Sequence, residues 1–115
     1  MQIDYFHRTV EDLTQTIQSL MPGAARLVYI HHPYLEHLTA HGAGFSSMVA
    51  ETVAAVALRH EAKFYDATED LRQEFGRHPE NFYIPNDLHL NEHGLQAYGV
   101  AVAKFLAGNV IQRQP

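Results

Sequence analysis

The chain has 115 residues, a formal net charge of −5 and no cysteine. That length suits one domain or part of one, with a core able to cover roughly two-thirds of the unfolded surface. Eight Lys and Arg against thirteen Asp and Glu argue against a nucleic-acid surface or a polybasic membrane patch, and the missing thiols exclude disulfides, redox chemistry and thiolate metal sites.

In chain order, Thr9-Val10-Glu11-Asp12 resembles a capping box with Asp in place of Glu. Val10, Leu13, Ile17 and Leu20 follow at helical spacing, so a helix is predicted from about Thr9 to Leu20, ended by Pro22-Gly23. Leu27-Val28-Tyr29-Ile30 is a short apolar run of β-branched and aromatic residues, suited to a parallel strand. Pro33 stops it, and a helical turn fits Tyr34–Leu38. Ser46 or Ser47 caps a second helix running to about His60, with Met48, Val49, Val53 and Val56 inward. Ala62–Asp66 reads as a second strand, Thr68 opens a helix ending near Phe75-Gly76, and Phe82-Tyr83-Ile84 is a brief extended piece. A last helix follows Asn91, its predicted N-cap, with an apolar stripe at Leu95, Tyr98, Val102 and Phe105 and a stop at Gly108-Asn109.

This order is that of an α/β domain on parallel strands with flanking helices. Two short parallel strands make a poor sheet with two open edges. The expectation is therefore either a partner, such as a second copy pairing at Leu27–Ile30, or a chain that forms the later part of a longer domain. No apolar run approaches a membrane span, and Met1-Gln2-Ile3-Asp4 does not look like a signal peptide, so the chain reads as soluble without a stated compartment.

The stretch Pro85–Gly94 holds the chemistry. Asp87 and His89 lie just before the last helix, on a loop between fixed elements. A histidine can take a proton from a nucleophile and return it to a leaving group, and a carboxylate on its other ring nitrogen fixes the tautomer. The longer string Asp87-x-His89-x-Asn91-x-x-Gly94, after a strand ending in Tyr65-Asp66-Ala67, resembles the C-terminal block of SGNH (GDSL-type) hydrolases. The resemblance covers roughly Thr9 to Leu106, with motif quality only around Asp87–Gly94. It implies a flavodoxin-like α/β/α sandwich, with His89 as general base and Asp87 as its orienting carboxylate. The family's usual spacing is Asp-x-x-His, and the position three before His89 is Asn86, so Asp87 and Asn86 stand as alternative neighbours of the histidine. The family's Gly-Asp-Ser nucleophile block has no match, nor do the blocks that supply its oxyanion glycine and asparagine. The resemblance therefore implies the later part of a Ser-His-Asp ester hydrolase, without its N-terminal half and inactive alone. Its substrate would be a small ester, an acetylated sugar or a lipid acyl chain, and the reaction needs neither metal nor cofactor.

Two other readings concern the same histidines. His89-Leu90-Asn91-Glu92-His93 matches a His-x-x-Glu-His zinc string, but that site needs both histidines on one helix, and Asn91 as N-cap puts His89 outside it. His31 and His32 end a strand, where open α/β sheets place their ligand crevice, so they and Asn86 are candidate pocket-lining residues; the plainer reading of the two histidines is a surface pair. A non-catalytic α/β module that homodimerises through its sheet edge is the alternative function.

Overall fold

Among the described residues helices dominate, and two strands, β1 (Val28–His31) and β2 (Lys63–Asp66), form one parallel pair. The computed structural model describes residues 3–39 and 44–111. Backbone bonds from Lys63 N–H to the Leu27 carbonyl and from Ala67 N–H to the His31 carbonyl mark the two ends of the pairing. The chain divides into two units, Met1–Ile30 with Ala43–Tyr65 and His31–Gly42 with Asp66–Pro115.

The first unit contains helix α1 (Ile3–Leu20) packed on helix α3 (Gly44–Arg59). Helix α1 starts earlier than its sequence suggests, so Thr9 is not a cap; its hydroxyl donates to the Tyr5 carbonyl one turn back. The covered face agrees with the expected stripe at Val10 and Ile17 and departs from it at Leu13 and Leu20. Val10 and Thr14 are buried and Glu11, Ile17 and Gln18 half-buried, whereas Leu13 and Leu20 are exposed. Polar side chains can occupy that face because each finds a partner. The Thr14 hydroxyl meets the Val10 carbonyl at 2.7 Å and the Tyr29 hydroxyl at 2.5 Å, and Gln18 Nε2 donates to the His60 carbonyl at 2.8 Å.

Helix α3 begins at Gly44, so Ser46 and Ser47 lie in its first turn and not at its cap. Its buried positions are mostly small, namely Ala50, Thr52, Val56 and Ala57; Met48, near the helix start, is exposed. The helix ends through Glu61, a non-glycine residue at φ 57°, while Ala62 N–H reaches back to the Ala57 carbonyl at 2.9 Å. This is a left-handed C-terminal turn of the kind glycine usually fills.

The second unit contains helix α2 (Leu35–Thr39), helix α4 (Thr68–Phe75), a 3-10 turn (Pro79–Phe82) and helix α5 (Glu92–Asn109). The turn at Tyr34–Leu38 and the helix from Thr68 were legible in sequence. Asp66 Oδ1 accepts from both the N–H and the hydroxyl of Thr68, which makes Asp66 the anchor of α4's first turn. Buried Leu38, Leu71, Phe75, Tyr83 and Leu90 form the core, where Phe75 stacks on Phe82 with ring centroids 4.1 Å apart. Phe82 closes the 3-10 turn, so the expected extended piece is reduced to Tyr83, which forms an antiparallel bridge with Leu90.

On α5 the covered stripe runs through Gly94, Ala97, Tyr98, Ala101, Val102 and Phe105. Leu95 lies one position off this stripe and is exposed, because the helix's close approach to the preceding loop is made through Gly94. No helix among the described residues is long and apolar enough to cross a membrane.

Candidate functional site

The Asp87–His89 loop is built as a closed bight. Its neck is the Tyr83–Leu90 bridge, reinforced by Ile84 N–H to the His89 carbonyl and Asn91 N–H to the Phe82 carbonyl, both at 2.9 Å. Inside it, Asp87 N–H returns to the Ile84 carbonyl at 3.0 Å, closing a turn with Pro85 and Asn86 at its centre. Asn86 has φ 59°. Proline followed by a residue at positive φ is the signature of a type II turn, and asparagine tolerates that conformation. Asn86 is thus a turn former, and the residue that reaches the histidine is Asp87.

One carboxylate oxygen, Asp87 Oδ1, accepts twice from His89: from its backbone N–H at 2.9 Å and from ring Nδ1 at 2.5 Å. The hydrogen bond from the ring, then that from the backbone, hold the Asp87 carboxyl below the usual carboxylate range. With an ionised acceptor on Nδ1, the ring proton sits there and Nε2 carries the lone pair. The His89 side chain is 81% exposed and that of Asp87 42%. Nε2 has no hydrogen-bond partner among the described residues.

Asn91 and Gly94 fix this loop to α5. Asn91 Oδ1 accepts from Gly94 N–H at 2.9 Å, the N-cap expected from sequence, and its Nδ2 donates to the Asn81 carbonyl at 2.7 Å. One asparagine therefore ties the helix start to the 3-10 turn. A Cβ on Gly94 would stand 2.2 Å from the Phe82 carbonyl oxygen and 2.9 Å from Leu90, so no side chain fits there. In the string Asp-x-His-x-Asn-x-x-Gly, the first two named positions form the pair and the last two hold its platform. Tyr83 adds a brace that the sequence did not single out: it is buried, meets Phe75 edge-on, and donates its hydroxyl to the Pro33 carbonyl at 3.2 Å. Burial pushes that hydroxyl up to about 12. Its place as an aromatic residue flanking the motif was the available signal.

His31 closes β1 and its carbonyl accepts from Ala67 N–H at 3.1 Å. His32 is half-buried and packs edge-on against Tyr98, ring centroids 4.8 Å apart. Loss of solvation, then the neighbouring His31, lowers its proton affinity. His32 is therefore part of the packing against α5. His89 precedes α5 and His93 lies in its first turn, so the two do not share one helical face. Among the described residues no three His, Asp or Glu side chains converge as metal ligands. A cavity of about 290 Å³ lies in the first unit, bordered by Gln18, Met21, Arg26, Glu61 and Lys63, and includes none of the candidate residues.

A second carboxylate–histidine contact, not expected from sequence, lies in the first unit. Glu11 receives His60 Nε2 at 2.8 Å and Arg59 Nη1 at 3.1 Å, with His7 Nδ1 at 3.6 Å. The hydrogen bond from His60, then the charges of Arg59 and the histidines, outweigh burial and lower the Glu11 carboxyl below 4.5. The alternation of Val10, Glu11 and Thr14 on one helical face was the available signal.

No protein-family model, no curated protein and no solved structure matches this chain.

Proposed function

We propose that this chain carries the acid–base half of an SGNH-type ester hydrolase, within a flavodoxin-like α/β/α sandwich. The observation that supports this most is the Asp87 Oδ1–His89 Nδ1 bond at 2.5 Å on the loop before α5, with the ring's other nitrogen unoccupied. In this reading His89 Nε2 takes the proton of a serine hydroxyl as it attacks the ester carbonyl, and then returns it to the leaving alkoxide. Asp87 holds the ring and offsets the charge of the imidazolium. Water repeats the sequence on the acyl-enzyme. The serine and the oxyanion donors are supplied by sequence other than these 115 residues, since no Gly-Asp-Ser block is present in them.

The test is a fusion of the N-terminal block of an SGNH hydrolase to this chain. Alkyl-ester hydrolysis is expected that a serine-directed sulfonyl fluoride blocks, and that His89→Ala lowers by about a hundredfold or more. A folded fusion that is inactive, or whose rate ignores His89→Ala, would sink the proposal.

A further inference from the structure

The histidines of this chain differ in which nitrogen is offered to solvent. His37 accepts from Tyr34 N–H through Nδ1 at 3.1 Å, so its neutral ring carries the proton on Nε2. Nε2 of His60 is engaged by Glu11, and His32 is half-buried against Tyr98. His89 combines a carboxylate on Nδ1 at 2.5 Å, a second bond that fixes that carboxylate to the backbone, and 81% side-chain exposure. His78 is the nearest comparison: 72% exposed, with Nδ1 3.2 Å from Glu80 Oε1. Its carboxylate stands farther off, on a longer side chain.

We infer that His89 Nε2 is itself a nucleophile toward activated acyl groups, such as aryl esters, and that the isolated chain turns them over through an acyl-histidine without any serine. This rests on the geometry of the pair and stands or falls apart from the hydrolase reading above. The Nε2 lone pair forms a bond to the carbonyl carbon. The carbon–oxygen bond to the leaving group breaks, and the aryl oxide departs with that electron pair. The Nδ1 proton moves toward Asp87, leaving a neutral N-acyl imidazole. Water then adds to the acyl carbon and gives up one proton to solvent, the Nε2–carbon bond breaks with its electron pair returning to Nε2, Asp87 returns its proton to Nδ1, and the carboxylic acid leaves and passes its remaining proton to solvent. A good leaving group suits this route, because the aryl oxide departs with its electron pair and needs no proton from the loop. Three large apolar side chains, Ile84, Leu88 and Leu95, are exposed on the same loop and helix start and favour an acyl or aryl group with apolar surface.

The experiment is hydrolysis of p-nitrophenyl acetate by the full chain, with mass spectrometry of the quenched protein. If all nine histidines contributed equally, His89→Ala would remove one-ninth of the protein-dependent rate. The expected result is loss of most of it, a transient acetyl group on residue 89, little change for His78→Ala, and no effect of a serine-directed sulfonyl fluoride. Asp87→Asn should lower the rate several-fold while the nitrogen-15 shifts of the His89 ring move toward mixed tautomers, a signature that a purely structural carboxylate would not give. A one-ninth loss, an acetyl group elsewhere, or inhibition by the sulfonyl fluoride would each overturn the inference. Circular dichroism of the variants separates these results from misfolding. Failure here leaves the serine-dependent fusion untouched, and failure of the fusion leaves this activity standing.

Discussion

Glu11–His60 and Asp87–His89 are both carboxylate–histidine pairs, yet the first spans 49 residues and the second two. Glu11 and His60 join α1 to the end of α3, with side chains only 16% and 18% exposed, and Arg59 and His7 complete their surroundings. Asp87 and His89 join nothing but each other, in solvent, on a loop held by other bonds. A pair that closes a long loop adds to the fold, and its histidine is largely withdrawn from solvent. A pair that closes a two-residue loop costs little to form and leaves one nitrogen open.

The largest way to disturb the second pair acts through its platform. Gly94→Ala places a methyl group 2.2 Å from the Phe82 carbonyl, and the backbone must move. A loss of about 3 kcal/mol is expected in urea unfolding, at the upper end for an overpacked site. The Asp87–His89 bond should survive in the folded fraction, since both partners lie within one turn. Nitrogen-15 spectra showing the bond lost would mean that the platform, and not the local turn, makes the pair. In the first unit, Thr14→Val removes the hydroxyl of buried Thr14 that meets the half-buried Tyr29 and is expected to cost about 1 kcal/mol by the same measurement. An unchanged midpoint would show that the polar face of α1 is not satisfied by that bond.

The turn that places His60 is strained, and this allows a change of opposite sign. Glu61→Gly removes the cost of a left-handed conformation at φ 57° and should stabilise the unit by about 1 kcal/mol. A loss of stability instead would show that the Glu61 side chain contributes more than its backbone costs.

What the sequence disclosed follows the same division. The loop pair, the Asn91 cap and helix α4 were legible because each is decided within a few residues. Asn91 accepts from Gly94 three positions on, and Asp87 from His89 two positions on. The face of α1 was misread in part, because it covers Glu11, Thr14 and Gln18 in place of Leu13 and Leu20. Those polar residues are acceptable there only because Arg59, His60 and Tyr29 arrive from distant sequence. Leu95 was misread for a related reason. The contact that sets the stripe of α5 is made by a glycine, which carries no hydrophobic signal.

The smallest expected effect also separates the pairs most cleanly, because it uses acid and not truncation. Both carboxyls are lowered in the folded chain by their histidines, Glu11 from 4.5 and Asp87 from 3.8. A lowered carboxyl contributes stability that is complete above its unfolded value and is lost as pH falls through the folded one. The linkage counts only the difference between folded and unfolded states, and residues two apart keep part of their contact in the unfolded chain. Residues 49 apart do not. Acid unfolding should therefore begin as pH drops below the ordinary glutamate range. Glu11→Gln should lower the midpoint at neutral pH and flatten that acid limb, whereas Asp87→Asn should leave both close to the parent. Urea midpoints at several pH values between neutrality and the acid limit decide it. If Asp87→Asn flattens the limb and Glu11→Gln does not, the loop pair is the one that adds to the fold, and its exposed nitrogen needs another explanation.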